Sequence, residues 1–107
     1  MYAIGDGIKK NIPESIYWAK KAVAQGETDY CKKIAYFYFT GDGVKQSKEE
    51  AAKWYLVGAE AGDPGAQIMY AWMLFNGDGI KVDKEKAADW YWEALVDPLV
   101  KTIIHRV

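Results

Sequence analysis

The sequence predicts an all-α fold in which antiparallel helix pairs stack into a solenoid. The tripeptide Gly-Asp-Gly starts at Gly5, Gly41 and Gly77, so the copies are 36 residues apart both times. An aliphatic residue and a lysine follow every copy, and a tryptophan comes ten residues after the aliphatic one, as Trp18, Trp54 and Trp90. A fixed period of this size is typical of a solenoid, in which each unit buries its apolar face only by stacking on the next.

Composition limits the functions that such a chain can have. Of its 107 residues 27% are charged, and the net charge is −1 with lysines spread along the chain, which argues against a nucleic-acid-binding surface. No apolar run approaches the roughly 18 residues of a membrane helix, so we expect no membrane span. The single cysteine, Cys31, excludes an intramolecular disulfide framework.

The period divides the single domain, residues 1–107, into four segments. Residues 1–26 are a partial repeat, residues 27–62 and 63–97 are repeats, and residues 98–107 are a C-terminal capping segment. We therefore expect about two full repeats plus partial ones.

The N-terminal residues predict a start in mid-repeat. Tyr2 lies 36 positions before Tyr38, so residues 1–4 resemble the last turn of a helix. We expect the open N-terminal edge to be covered by further repeats or by self-association. Met1 to Asp6 lack the basic and apolar regions of a signal peptide, which favours a cytoplasmic location; a periplasmic one stays open if a signal peptide was removed.

The partial repeat contains one predicted helix. Asn11 caps it, Pro13 and Glu14 occupy its first turn, and Gly26 ends it. At helical spacing, its expected inner face consists of Ser15, Trp18, Ala19, Ala22 and Val23.

The repeat 27–62 predicts two helices around a Gly-Asp-Gly turn. The first should run from about Thr28 to Phe39, and the second should begin at a capping box of Ser47 and Glu50 and end at Gly62. Two glycines let the backbone leave the first helix through φ > 0. The inner faces are Cys31, Ile34, Ala35 and Tyr38 in the first helix, and Ala51, Trp54, Tyr55, Gly58 and Ala59 in the second.

The repeat 63–97 follows the same pattern. Asp63 and Pro64 start a helix that is expected over 67–75, and Asp83 caps the next. The inner faces are Ala66, Tyr70, Met73 and Leu74, then Ala87, Trp90, Tyr91, Ala94 and Leu95. Ala35 and Ala71 occupy one repeat position and allow close helix approach, with Trp54 and Trp90 largely buried beside them.

The C-terminal segment departs from the period. Asp97-Pro98 resembles Asp63-Pro64 but follows it by 34 residues. The spacing predicts a short helix that caps the stack, although its β-branched content leaves a strand or an irregular tail open. Its inner residues are Leu99, Val100, Ile103, Ile104 and Val107, and its outer ones Lys101, Thr102, His105 and Arg106.

From Ala66 to Ala94 the unit reads Ala-x(3)-Tyr-Ala-x(2)-Leu-x(2)-Gly-x-Gly-Ile-x(2)-Asp-x(3)-Ala-x(2)-Trp-Tyr-x(2)-Ala. This unit resembles the Sel-one-like repeat (SLR) family, a relative of the tetratricopeptide repeat, over residues 1 to about 96. The resemblance implies a right-handed α/α superhelix that acts as an adaptor for other proteins, and such repeats are common in bacteria. Ala19 and Ser47 depart from the family pattern without affecting the fold.

Catalytic chemistry finds little support in the sequence. Asp6, Asp42 and Asp78 are better turn residues than calcium ligands, because too few carboxylates surround them. His105 is the only histidine, and Cys31 fits an apolar filler. We expect no catalytic residue, metal or cofactor, and an enzyme stays the minor alternative. A cysteine-rich branch of the family, described as binding or hydrolysing β-lactams, has a cysteine pair in each repeat, which this chain lacks.

The resemblance also predicts where a partner protein binds, since the first helix of each pair lines the concave face in this family. The candidates are Lys32, Tyr36, Phe39, Ile68, Trp72, Phe75 and Asn76. The period stacks Tyr36 on Trp72 and Phe39 on Phe75 as a two-by-two panel for an apolar helix or extended segment. The alternative is that neighbouring elements bury these rings as core. The sequence does not separate a regulatory adaptor from an immunity protein that neutralises a secreted bacterial toxin.

Overall fold

Five α-helices make up most of the part of the chain that the structure describes. The structure is a computed structural model, and it describes residues 11–96 with Leu99, Val100 and Ile103. A 3₁₀ turn (Thr28–Tyr30) leads into α2, and no strand occurs among the described residues, which confirms the all-α fold. The helices are α1 (Ile12–Ala24), α2 (Cys31–Thr40), α3 (Lys48–Glu60), α4 (Pro64–Asn76) and α5 (Lys84–Leu95).

The helices stack in chain order as the solenoid prediction requires. α2 packs on α3, α4 packs on α5, and α3 joins the two pairs by packing on α4. α1 makes a smaller contact with α2 than α3 makes with α4, its counterpart one repeat later. None of the described helices is both long and apolar enough to cross a bilayer.

The predicted N-caps are in place. The Ser47 hydroxyl accepts a hydrogen bond from the backbone N–H of Glu50 at 3.2 Å. The side chains of Asn11, Asp63 and Asp83 accept from backbone N–H groups at 3.1, 3.0 and 3.0 Å. Each cap satisfies a donor that has no partner within its helix. α2 has no side-chain cap and continues directly from the 3₁₀ turn.

The second glycine of each described Gly-Asp-Gly turn joins neighbouring repeats. Gly43 and Gly79 have φ values of +80° and +81°, a left-handed conformation that favours glycine. A Cβ on Gly79 would lie 2.6 Å from the carbonyl oxygen of Lys48, and one on Gly43 would overlap the Ile12 side chain. Ile12 and Lys48 are the first residues of α1 and α3, so each turn rests on the start of the preceding repeat's second helix.

Small residues allow the helices of the core to lie close together. A Cβ on Gly58 of α3 would lie 3.2 Å from the Cβ of Cys31 in α2 and 3.0 Å from that of Ala66 in α4. α3 is therefore packed tightly between α2 and α4. The fully buried alanines are Ala35, Ala51, Ala66, Ala71 and Ala87. A smaller second cluster consists of Ile12, Ile16 and Ile34.

The predicted inner face of α1 is only partly confirmed: Ala19 and Val23 pack against the second cluster, but Ser15 and Trp18 do not face inward. Trp18 is 56% exposed, whereas Ile12 and Ile16 are buried against α2 and α3. The period equates Trp18 with Trp54, which contacts both core clusters because α3 has described helices on either side. Among the described helices, α1 has a neighbour on one side only.

Two further burial predictions need correction. Trp54 and Trp90 are half-buried rather than largely buried, and Trp54 Nε1 donates to Glu50 Oε1 at 3.3 Å. Leu95, predicted to face inward, is exposed.

The termini lie largely outside the described residues, including the predicted last turn at 1–4 and the first Gly-Asp-Gly. In the predicted capping segment, Leu99, Val100 and Ile103 are helical, but their side chains are exposed. The rest of 98–107 lies outside the described residues, so the capping role stays a prediction.

Candidate protein-binding face

Four of the candidate residues are aromatic rings of α2 and α4, and we call them the aromatic panel: Tyr36, Phe39, Trp72 and Phe75. Tyr36 is 54% exposed and Trp72 41%, and Phe75 is exposed as well. Phe39 is half-buried and packs against the main core. Neighbouring elements thus cover one of the four rings in part and leave the other three open to solvent.

The ring contact between the two helices differs from the expected stacking. Phe39 meets Trp72 edge-on, with 6.2 Å between ring centroids and an angle of 71° between the planes. Tyr36 makes its ring contact with the neighbouring Phe37 at 6.4 Å. Phe39 thus contacts Trp72, which lies about one helical turn before Phe75, the residue expected there.

Lysines of the following helices lie over the panel. Lys48 Nζ is 5.1 Å from the Phe39 ring centroid, and Lys84 Nζ lies at the same distance from the Phe75 ring, one period later. Lys48 also bridges to Asp78 at 3.2 Å, which ties α3 to the third Gly-Asp-Gly turn. Asp78 thus acts as a contact between repeats, beyond the turn role that its position predicted.

The other three candidates are Lys32, Ile68 and Asn76, which lie on the same two helices as the panel. Lys32 pairs with Asp63 at 3.4 Å, and Asn76 donates to the backbone carbonyl of Trp72 at 2.9 Å. Ile68 is half-buried in α4. The Lys32–Asp63 pair thus links α2 to the start of α4, and Asn76 bonds within the last turn of α4.

Lys20 is a structural residue that the sequence analysis missed. Its Nζ donates to Tyr38 Oη at 3.2 Å and lies 5.3 and 5.4 Å from the ring centroids of Tyr38 and Trp54. Such cation–π contacts join α1 to both helices of the next repeat. No signal in the sequence marked this lysine, because its equivalent one period later is Leu56.

The shifted pKa values belong to structural groups. Burial raises the pKa of Cys31, Tyr55 and Tyr70, so these side chains remain protonated in the core. A hydrogen bond from Lys53 lowers the pKa of Glu50 at the start of α3. Among the residues that the structure describes, no group of three or more His, Cys, Asp or Glu side chains is placed to hold a metal ion.

The stacked helix pairs, glycine-linked turns and open helix face define an α-solenoid repeat protein. A family model described as Sel1 repeat matches residues 1–27, 29–63 and 64–94. The chain therefore belongs to the Sel1 repeat family, with the right-handed α/α superhelix of the SLR fold. Proteins of this family generally serve as protein-interaction scaffolds, which is a non-catalytic role.

Solved structures of bacterial proteins share this fold. A Sel1 repeat protein from Oxalobacter formigenes is 38% identical with a TM-score of 0.78, over 87% of this chain and 38% of its own. The protein c5321, a protective antigen of uropathogenic Escherichia coli strains, is 32% identical with a TM-score of 0.77, over 87% of this chain and 20% of its own. This chain thus spans less than half the length of either relative.

A more distant structure supports the fold alone. Cysteine-rich protein B of Helicobacter pylori is 19% identical with a TM-score of 0.76, over 94% of this chain and 76% of its own. Comparison with curated proteins gave no match.

Proposed function

We propose that this chain is a non-catalytic scaffold that binds a segment of another protein on the aromatic panel. The observation that supports this role best is the exposure of Tyr36, Trp72 and Phe75 on the first helices of two stacked repeats. Large aromatic side chains bury much apolar area on binding and lose little conformational entropy, so they are frequent binding hot spots.

The contacts around the panel favour a rigid binding surface. Phe39 packs against the main core and meets Trp72 edge-on, and the Lys48–Asp78 pair joins the two repeats beside the Phe39 ring. A surface fixed in this way loses little freedom when a partner binds.

The charge beside the rings indicates the chemistry of the partner. Lys84 Nζ lies over the Phe75 ring at the end of the panel. A helix or extended segment with apolar side chains for the rings and a carboxylate near Lys84 matches this surface.

Quantitative protein capture from the source cells tests the proposal. The wild-type chain is compared with Trp72→Ala and Tyr36→Ala, and the matched control is Tyr17→Ala, because Tyr17 is 53% exposed and lies on α1 away from the panel. We expect both panel variants to lose at least tenfold of a partner that the wild type and the control retain. Their melting temperatures should stay within about 4 °C of the wild type, since exposed substitutions change stability little. Retained capture by both panel variants, or capture lost together with stability, would contradict the proposal.

A further inference from the structure

Asn76 and Gly77, where α4 ends, form a sequence that favours deamidation of the asparagine. In this reaction the backbone nitrogen of the following residue attacks the side-chain Cγ of asparagine. A following glycine hinders the attack least, because it has no Cβ. Both residues are exposed, whereas the other asparagine of the chain, Asn11, is followed by the β-branched Ile12. The sequence thus makes Asn76 the more reactive of the two asparagines.

The folded structure holds the two reacting groups of this site apart. Asn76 Nδ2 donates to the Trp72 carbonyl oxygen at 2.9 Å, so the side chain points back along α4 and away from the Gly77 nitrogen. The Gly77 N–H, which must lose its proton before the nitrogen can attack, donates to the Met73 carbonyl oxygen. The Asp78 N–H donates to the same oxygen at 3.0 Å. Attack therefore requires the last turn of α4 to open.

The contact with the preceding repeat keeps this turn closed. Lys48 of α3 pairs with Asp78 at 3.2 Å, and the backbone of Gly79 packs directly on Lys48. A short segment of a folded protein can open without global unfolding, and each contact that it makes lowers the population of the open form. The joint between the repeats therefore controls how often Asn76 and Gly77 can react.

The equivalent position one repeat earlier has the same bond without the reactive group. Thr40 lies 36 residues before Asn76, and its Oγ1 donates to the Tyr36 carbonyl oxygen at 2.9 Å. Both side chains thus donate to the carbonyl four residues earlier in the last turn of a first helix. A threonine cannot deamidate, so it supplies this hydrogen bond without the chemistry.

We propose that Asn76 is a site of spontaneous deamidation whose rate is set by opening of the third Gly-Asp-Gly turn against α3. The Gly77 nitrogen forms a bond to Asn76 Cγ, the Cγ–Nδ2 bond breaks, and ammonia leaves with the proton that the Gly77 nitrogen has lost. Water then opens the cyclic imide. Addition at Cγ gives aspartate, and addition at the backbone carbonyl carbon of residue 76 gives isoaspartate, in which the main chain passes through the side chain.

Either product weakens the end of α4. A carboxylate cannot donate to the Trp72 carbonyl oxygen, and its negative charge lies at a helix C-terminus, where the helix dipole disfavours it. Isoaspartate also adds a methylene group to the main chain next to Gly77, which has a φ of +68°. Because the following turn rests on α3, the modification loosens the joint between the repeats. The reaction needs no partner, so its test is independent of the proposed function.

The test follows the full chain in heavy-oxygen water at mildly alkaline pH. Digestion and fragment mass spectrometry should find aspartate and isoaspartate with one heavy oxygen at position 76, while Asn11 stays largely unreacted. The rate should rise with pH, since the Gly77 nitrogen must lose its proton. In guanidinium chloride the reaction should be at least about tenfold faster, because the turn is then open. No isoaspartate at position 76 in the unfolded chain, or equal rates in the folded and unfolded chains, would overturn the proposal.

Two lysine variants test the role of the joint between the repeats. Lys48→Met removes the ion pair with Asp78, and the matched control Lys53→Met removes an ion pair with Glu50 at 3.1 Å on the same helix. In the folded state, Lys48→Met should deamidate about two- to fivefold faster than the wild type, the change in population that loss of a surface ion pair gives. Lys53→Met should react like the wild type. A Lys48→Met variant that reacts no faster than this control would contradict the proposal.

Two substitutions of Asn76 test what the reaction does to the fold. Asn76→Thr copies Thr40, so it should give no product at this position and keep the melting curve of the wild type. Asn76→Asp copies one product and should melt about 2–8 °C below Asn76→Thr, because the charge at the helix end replaces a hydrogen-bond donor. Equal melting temperatures for these two variants would show that the modification leaves the joint intact and would overturn that part of the proposal.

Discussion

Replacing Gly79 by alanine tests how the repeats are held together. Gly79 has φ +81°, and a Cβ there would lie 2.6 Å from the carbonyl oxygen and 2.8 Å from the Cβ of Lys48. The left-handed conformation costs an alanine about 1–3 kcal/mol. The overlap with Lys48 adds about 1–3 kcal/mol, because the backbone of α3 must move. We expect Gly79→Ala to lower the free energy of unfolding by about 2–6 kcal/mol in all.

Gly62→Ala is the matched control for this substitution. Gly62 has φ +98° but open space around its missing Cβ, so the control carries the conformational cost without the overlap. Thermal melting by circular dichroism should place Gly79→Ala at least about 4 °C below Gly62→Ala, the shift expected for about 1 kcal/mol in a domain of this size. Equal melting temperatures would refute the argument that this turn sets the stacking distance.

Three further predictions concern the core and the response to pH. Trp54→Ala removes a half-buried ring between both core clusters and should cost about 2–4 kcal/mol in urea unfolding; a change within error would mean that the helix pairing is wrong. The pKa of Glu50 in the folded state is lowered from 4.5, so the ionised side chain contributes to folding stability above pH 4.5. This stability is lost as the pH falls through the folded-state pKa. In the Glu50→Gln variant the melting temperature should therefore fall less steeply than in the wild type as the pH drops below 4.5. An equally steep fall would contradict this. Burial raises the pKa of Tyr55 in the folded state above 10.0, so the neutral side chain contributes to folding stability below pH 10.0. This stability is lost as the pH rises through the folded-state pKa. Tyr55→Phe should lose less stability than the wild type above pH 10.0, and an equal loss would contradict it.

The sequence predicted best those features that depend on neighbours in the chain. Ser47 and Asp83 are N-caps because a short polar side chain precedes a helical pattern, and both lie where they were expected. The 36-residue period identified the repeating unit, since equal spacing of Gly-Asp-Gly and tryptophan reports equal structures.

Features that depend on contacts between repeats were harder to predict. The period gives the equivalence of Trp18 and Trp54 but not the number of helices around each, so the exposure of Trp18 was missed. It likewise equates Phe39 with Phe75 without giving the offset between stacked helices, so the contact of Phe39 with Trp72 was not foreseen.

Photo-crosslinking from the panel in the source cells tests the central claim of protein binding most directly. A photoreactive phenylalanine analogue replaces Trp72 in one sample and Trp92 in a control; the two tryptophans are 41% and 40% exposed on different faces. A scaffold that binds through the panel should give an adduct with a different polypeptide from position 72 that position 92 does not give. If position 72 gives no adduct with another polypeptide, or the same adducts as position 92, the panel is not the binding face.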